Sequence, residues 1–199
     1  MPRQNRVLPT GEIVADPARG RVLGNRGCLH DAGGALTRRR WRHKRWVLCL
    51  TAFKGRRATL NAPGRYTQLF FHDEAVGFAA GHRPCAECRR GAYDAFRAAA
   101  GIEGAIDSFD RDLHAARAVP RIYGQRRHDA ALDDLPDGAF ILETDGAPAL
   151  VLGDAPHRFR PGGYLAPRPR PHGTRVTLLT PPPLVAVLKA GYAPQIEIG

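Results

Sequence analysis

The stretch Arg83-Pro84-Cys85-Ala86-Glu87-Cys88 places two thiols at the Cys-x-x-Cys spacing, which lets one tight turn present two sulfur ligands to the same metal ion. The other two cysteines of the chain lie upstream and twenty-one residues apart. Each would therefore reach the ion from a separate element. Four thiolates at the corners of a tetrahedron make an all-cysteine zinc site. The predicted zinc ligands are Cys28, Cys49, Cys85 and Cys88.

Other interpretations of the cysteines stay open. The Cys-x-x-Cys pair could form a disulfide or a thioredoxin-like redox motif, or all four could be unrelated buried thiols, and His30 or His43 could replace an upstream cysteine. No apolar run of the length of a signal peptide follows the basic start, so we expect a cytoplasmic, reducing location that disfavours a disulfide. A redox motif normally opens a helix after a strand, whereas a short helix is predicted before this pair.

The positive charge is concentrated in the first half of the chain. The 199 residues carry a formal net charge of +11. Residues 1–100 hold 19 Lys and Arg against 7 Asp and Glu, a net +12, while residues 101–199 hold 11 against 12. No apolar stretch approaches the length of a membrane span. The composition predicts a soluble globular protein without a membrane partner.

The most basic segment is residues 38–46, Arg-Arg-Arg-Trp-Arg-His-Lys-Arg-Trp, with six fixed cations and two indoles. Guanidinium groups bind phosphate oxygens in pairs, and indoles can stack on unpaired bases. A solvated charged face or an arginine-rich coding bias would give the same composition. We favour a nucleic-acid partner. The predicted contact residues are Arg38, Arg39, Arg40, Arg42, Lys44, Arg45, Lys54, Arg56, Arg57, Arg83, Arg89 and Arg90.

The pattern of apolar residues predicts an α+β protein of two units. Residues 1–21 are predicted to be an extended arm, residues 22–101 a zinc module, residues 102–134 a connecting segment, and residues 135–199 a small β-rich unit. In the zinc module we expect a small antiparallel sheet with strands at 45–53 and 66–71, to which 58–61 could add, and short helices at 74–80 and about 87–100 around the four-cysteine knuckle.

The second half is predicted to begin with a hairpin. Its strands are expected near 139–142 and 149–152, joined by a turn at Asp145-Gly146, and a third strand is expected at 175–180. Residues 161–171, rich in proline, arginine and glycine, predict a long exposed loop. An apolar helix is expected at 184–190, closed by Gly191.

The run Phe70-Phe71-His72-Asp73-Glu74-Ala75, followed by Ala80-Gly81-His82-Arg83-Pro84-Cys85-Ala86-Glu87-Cys88, resembles the zinc-binding domain of Ada-type DNA-repair proteins. The resemblance covers about residues 66–90. It implies a four-cysteine zinc site on a small mixed domain that contacts the DNA backbone, which favours DNA over RNA, and a zinc-bound thiolate that accepts a methyl group from a methylated phosphotriester.

By order along the chain, the resemblance places Cys28 at the methyl-accepting position and Cys49 at the second ligand. The chain departs from the family in the wide separation of these two cysteines. It also lacks the helix-turn-helix and alkyltransferase signatures of such proteins.

One further cluster is a candidate for catalysis. Asp110 and His114 lie four residues apart on a predicted helix, so the carboxylate could orient the imidazole as a general base, although a solvated helix end explains the same residues. No phosphate-cradling glycine loop, Gly-x-Ser-x-Gly elbow or His-Glu-x-x-His motif is present, so no nucleotide cofactor is predicted.

The sequence therefore predicts a zinc-stabilised nucleic-acid-binding protein. Two alternatives remain: an enzyme that acts on nucleic acid, by methyl acceptance through Cys28 or by hydrolysis through Asp110 and His114, and a protein-binding adaptor with a basic face.

Overall fold

The computed structural model describes residues 1–55 and 59–198 and shows a mixed α/β fold. The strands β1–β14 of this part are Gln4–Val7, Ile13–Ala15, Val22–Asn25, Val47–Leu50, Leu69–Phe71, Arg83–Pro84, Ala118–Val119, Gly124–Gln125, His128–Ala131, Phe140–Leu142, Pro148–Leu152, Ala155–Arg160, Gly163–Pro167 and Arg175–Leu178. The helices α1–α4 are Glu74–Ala79, Arg90–Ala99, Asp107–Arg117 and Pro182–Lys189, and Leu132–Asp134 forms a 3-10 turn.

The first sheet has the order β2-β1-β5-β3-β4-β6. It is mixed rather than purely antiparallel, because β1 runs parallel to β5 and β4 runs parallel to β6. Residues 1–21 were expected to be an arm with little regular structure. Instead β1 and β2 pair with each other, and Val7 and Ile13 enter the core, so this segment is part of the sheet. Residue 58 of the expected 58–61 strand lies outside the described residues, and residues 59–61 form no strand.

Helix α1 carries the chain from β5 to the Cys-x-x-Cys turn, as predicted. The Asp73 carboxylate caps it by accepting a hydrogen bond from the N–H of Val76 at 2.9 Å. Gly81, at φ 79°, supplies the left-handed stop. A Cβ at Gly77 would come within 2.6 Å of Leu48 side-chain atoms, so this glycine lets α1 lie directly on β4.

The second sheet has the order β13-β12-β11-β10-β14-β9. The predicted hairpin is present as β10 and β11, and the predicted third strand is β14. The expected long loop at 161–171 is wrong in its first half, because Gly163 turns the chain at φ 138° and β13 pairs with β12. The predicted C-terminal helix is α4, and Gly191 ends it in the left-handed region at φ 97°.

One cluster of buried apolar side chains draws on both halves of the chain. It joins Leu48 and Phe78 beneath the first sheet to Phe140 and Leu150 of the second. Helix α3, from the predicted connecting segment, contributes Leu113 and contacts α4. In the described part of the chain, no helix combines the length and apolar character needed to cross a bilayer.

Candidate functional site

Three of the four cysteines meet at one edge of the first sheet. Cys49 lies on β4, and Cys85 and Cys88 follow β6, where the N–H of Cys85 donates to the carbonyl oxygen of Leu48 at 2.9 Å. The three Sγ atoms lie within 4.8 Å of one another. Sulfurs bound to one zinc ion at about 2.3 Å and tetrahedral angles are about 3.8 Å apart. The three thiols can therefore hold a metal ion.

Backbone amides support this arrangement. The N–H of Leu50 points at the sulfur of Cys88, and the N–H of Glu87 at that of Cys85, both at 3.4 Å. A hydrogen bond from Cys49, with the backbone N–H groups of Cys88 and Glu87, lowers the pKa of Cys85 to about 5. The same hydrogen bond, with burial, raises the pKa of Cys49, and burial raises the pKa of Cys88. The Cys85 sulfur is thus the first to become a thiolate.

The fourth predicted ligand, Cys28, is not in this group, so a four-cysteine site is not confirmed. Strand β3 ends at Asn25, and Gly27, at φ 100°, turns the chain before Cys28. The Cys28 sulfur lies 3.7 Å from the carbonyl oxygen of His30. The His30 ring is bound elsewhere, with Nδ1 2.7 Å from the Thr67 hydroxyl.

Tyr66 is a site residue that the sequence gave no means of finding. Burial raises the pKa of its hydroxyl, and the neighbouring charges of Cys49, Cys88 and Cys85 raise it further. Tyr66 precedes β5 in a loop, and no spacing in the sequence links it to the cysteines whose charges act on its pKa.

A buried cationic layer lies behind the basic segment. The Trp46 ring is flanked by the guanidinium carbons of Arg26 at 4.2 Å and Arg117 at 3.9 Å, both within range for cation–π contact. Arg26 also donates to His82 Nε2 at 3.2 Å, and Arg117 donates to the carbonyl oxygen of Gly81 at the end of α1. Burial lowers the pKa of Arg26 to about 9 and depresses those of Arg117 and His82.

The predicted Asp110–His114 pair is not formed. The Asp110 carboxylate accepts two hydrogen bonds from Arg83, at 2.8 and 2.7 Å, and both side chains are buried. His114 turns toward Arg117, with 3.5 Å between its Nδ1 and a guanidinium nitrogen. Burial and the charge of Arg117 lower the pKa of His114 to about 4. Asp110 therefore neutralises an arginine and does not orient the imidazole.

A cleft of about 750 Å³ opens beside the three thiols, between the basic segment and the start of α3. Val47 on its wall shares a face of β4 with Cys49, and Ala86 belongs to the Cys-x-x-Cys turn, so the cleft and the sulfurs adjoin. The residues that line it are Asn25, His43, Lys44, Arg45, Val47, Arg83, Ala86, Asp107, Asp110 and Arg111.

The charges of the cleft do not cancel. Asp107 pairs with Arg45 at 2.8 Å, and Asp110 pairs with Arg83. Lys44 and Arg111 have no ion-pair partner in the part of the chain that the structure describes. Asn25 uses its Oδ1 to accept from the N–H of Gly27 at 2.8 Å, which leaves its amide nitrogen as a donor. The cleft therefore offers two free cations and an amide donor to an anion.

The predicted contact residues divide into exposed and buried groups. Arg83 is bound to Asp110, and Arg89 makes a bidentate pair with Glu74 at 2.8 and 2.9 Å. Because these two guanidinium groups are held inside the protein, they are corrected from contact residues to structural ones. Arg56 and Arg57 lie outside the described residues. The others are half-buried (Arg40) or exposed (Arg38, Arg39, Arg42, Lys44, Arg45, Lys54 and Arg90).

The sequence thus identified the Cys-x-x-Cys turn and Cys49 but not Arg111, Asn25 or Tyr66 as neighbours of the site. Comparison of the chain with protein-family models, with curated proteins and with solved structures found no match.

Proposed function

We propose that this chain is a zinc-stabilised nucleic-acid-binding protein that acts on DNA through an Ada-like metal module. The observation that carries the proposal is the cationic cleft whose lining includes Ala86, which lies between two of the three converging thiols. Soft sulfur ligands in a tetrahedral arrangement favour zinc among the common divalent ions. Zinc at Cys49, Cys85 and Cys88 would tie β4 to the turn after β6, and so hold one wall of the cleft in place.

The chemistry of the cleft favours contact with the phosphates of a nucleic acid over contact with its bases. Among the described residues that line the cleft there is no Phe, Tyr or Trp, so the His43 imidazole is the one ring on which a base could stack. Its free groups are the ammonium of Lys44, the guanidinium of Arg111 and the amide of Asn25, which are donors that bind phosphate oxygens. Exposed Arg38, Arg39 and Arg42 in the basic segment would extend the contact along the backbone.

We expect the neutral variants Lys44→Gln and Arg111→Gln to weaken binding to a DNA duplex and to reduce its salt dependence. Each lost phosphate contact lowers the slope of log K against log salt by about one. Arg175→Gln is the matched control, because Arg175 is also exposed but pairs with Asp129 in the second sheet and does not line the cleft. Fluorescence anisotropy across a salt series measures all three. Absence of binding by the wild-type protein at low salt would refute the proposal.

A second candidate function, methyl acceptance, is favoured by the number of converging sulfurs. Three protein ligands are typical of reactive zinc sites, whereas structural sites use four. A metal keeps a thiol ionised at neutral pH. Such a thiolate could attack the methyl carbon of a phosphotriester, so that the sulfur–carbon bond forms as the carbon–oxygen bond breaks and the phosphodiester leaves.

Mass spectrometry of the protein after incubation with phosphotriester-methylated DNA tests this candidate. We expect one added methyl group on a peptide that contains Cys49, Cys85 or Cys88, and unchanged transfer in Cys28→Ser, because Cys28 lies outside the cluster. A protein without added mass, or one methylated only at Cys28, would exclude acceptance by the clustered thiols.

A further inference from the structure

A hairpin tip formed by residues 120–123 joins β7 to β8 and exposes an isoleucine. The N–H of Ile122 donates to the carbonyl oxygen of Pro120 at 2.8 Å, which closes the turn tightly. The Ile122 side chain is 73% exposed, whereas the other exposed large apolar side chains of the described chain, except Met1, reach 44% at most. Exposure of this degree at the end of a turn makes Ile122 the most prominent apolar group inside the chain.

The backbone of the hairpin tip is held in an unusual conformation. Arg121 and Tyr123 have φ values of 68° and 56°, in the left-handed region that residues other than glycine rarely occupy. Such conformations persist where the surrounding structure enforces them, and they concentrate at functional sites. In this turn they flank Ile122 on both sides.

Both strands that carry the hairpin tip are anchored in the protein. Strand β7 continues directly from α3, whose last residue, Arg117, is buried against Trp46. On the other side, the Tyr123 ring packs edge-on against Trp41, with 4.9 Å between ring centroids. The side-chain amide nitrogen of Gln125 lies within 3.2 Å of backbone carbonyl oxygens of three separate segments, to which its two hydrogens can donate. The tip is therefore a rigid projection and not a loose loop.

The surroundings of Ile122 are cationic. Arg38 of the basic segment donates to the carbonyl oxygen of Arg121 at 3.4 Å, which brings the two arginines together. Arg126 and Arg127 follow β8 and are exposed. In the described ranges, none of these four arginines forms an ion pair with a carboxylate. An apolar pocket on a partner protein would accept an isoleucine but would not require this charge.

We propose that Ile122 is a wedge that inserts between two base pairs of a DNA duplex while the arginines around it bind the phosphates. The inference rests on the proposed function and adds to it a specific mode of contact. Proteins that bend DNA insert apolar side chains of this kind, isoleucine among them, and partly unstack the base step. A wedge must be exposed, rigid and flanked by cations, which are the three properties that the hairpin tip combines.

The test uses the full-length, metal-loaded protein and a DNA duplex with 2-aminopurine at a flexible TA step. We expect the fluorescence of 2-aminopurine to rise on binding, because unstacking relieves its quenching. Ile122→Ala should abolish the rise and weaken binding by about tenfold or less, since the lost apolar contact is partly offset by the unstacking that no longer occurs. Ile122→Phe should retain the rise, because phenylalanine also serves as a wedge.

Leu165→Ala is the matched control, since Leu165 is an exposed apolar residue on β13, the outermost strand of the second sheet, and should change neither signal nor affinity. Circular dichroism verifies that each variant is folded. A wild-type protein that binds the duplex without a fluorescence rise, or an unchanged rise in Ile122→Ala, would overturn the wedge and leave the proposed function standing. A wild-type protein that does not bind DNA would overturn both.

Discussion

Cys85→Ser is expected to release the metal ion from the purified protein and to lower its free energy of unfolding. The variant removes the thiol most ready to ionise from a group of three whose sulfurs lie within 4.8 Å. An ion that binds only the folded state stabilises it by about 4 kcal/mol when its free concentration exceeds the dissociation constant a thousandfold. Elemental analysis and chemical denaturation with and without added zinc measure the two effects.

Cys28→Ser is the matched control for this experiment, because it removes a cysteine that the structure places outside the group. We expect it to retain about one zinc ion per chain and a stability close to that of the wild-type protein. Equal metal loss in Cys28→Ser would restore the four-cysteine site predicted from the sequence. A wild-type protein that is folded, metal-free and insensitive to chelators would show that the three thiols do not form a metal site.

The difference between three and four ligands illustrates what the sequence could establish. The Cys-x-x-Cys spacing is local, so the turn that joins Cys85 and Cys88 follows from the sequence alone. The position of Cys49 is harder to predict. The apolar residues around it predict a strand, but they do not predict that β6 pairs in parallel with this strand and so brings the Cys-x-x-Cys turn next to Cys49. The position of Cys28 depends on Gly27, whose left-handed conformation turns the chain after β3. No periodicity in the sequence reveals such a turn.

The helices and the hairpin of the second half were predictable because their signals are local in the sequence. Asp73 and Gly81 mark the two ends of α1 in the sequence, and the turn at Asp145-Gly146 marks the hairpin. The N-terminal strands were missed because three prolines and two glycines interrupt the segment, and its place in the first sheet depends on the pairing of β1 with the distant strand β5. Long-range pairing of this kind has no local signal in a single sequence.

The sequence also could not show which arginines are buried and which are exposed. Arg83, Arg89 and Arg90 are equivalent in the sequence as neighbours of the Cys-x-x-Cys turn. In the fold, Arg83 and Arg89 are buried against carboxylates, and only Arg90 is exposed. Their partners, Asp110 and Glu74, lie 27 and 15 residues away along the chain. Whether an arginine contacts a partner molecule or supports the fold is decided by these distant carboxylates.

The two aspartates at the start of α3 allow this distinction to be measured. Asp110→Ala is expected to lower the free energy of unfolding by about 3–5 kcal/mol, because it leaves the buried charge of Arg83 without its partner. Asp107→Ala breaks an ion pair of the same type, to Arg45, whose two side chains are 68% and 47% exposed. We expect it to cost at most about 1 kcal/mol, because water and salt screen an exposed pair. Urea denaturation compares the two variants.

The double variant Arg83→Met/Asp110→Ala separates a buried charge from a general loss of packing. Removing both charges eliminates the unpaired guanidinium, so we expect the double variant to be more stable than Asp110→Ala alone. If Asp110→Ala instead costs no more than Asp107→Ala, the pair is not buried in solution and Arg83 is free to contact a ligand. If the double variant is less stable than Asp110→Ala, the methylene groups of Arg83 contribute more than its charge. The measured stabilities therefore show whether Arg83 is neutralised by Asp110 in the lining of the cleft. If it is, Lys44 and Arg111 are the cations of the cleft that can bind a ligand.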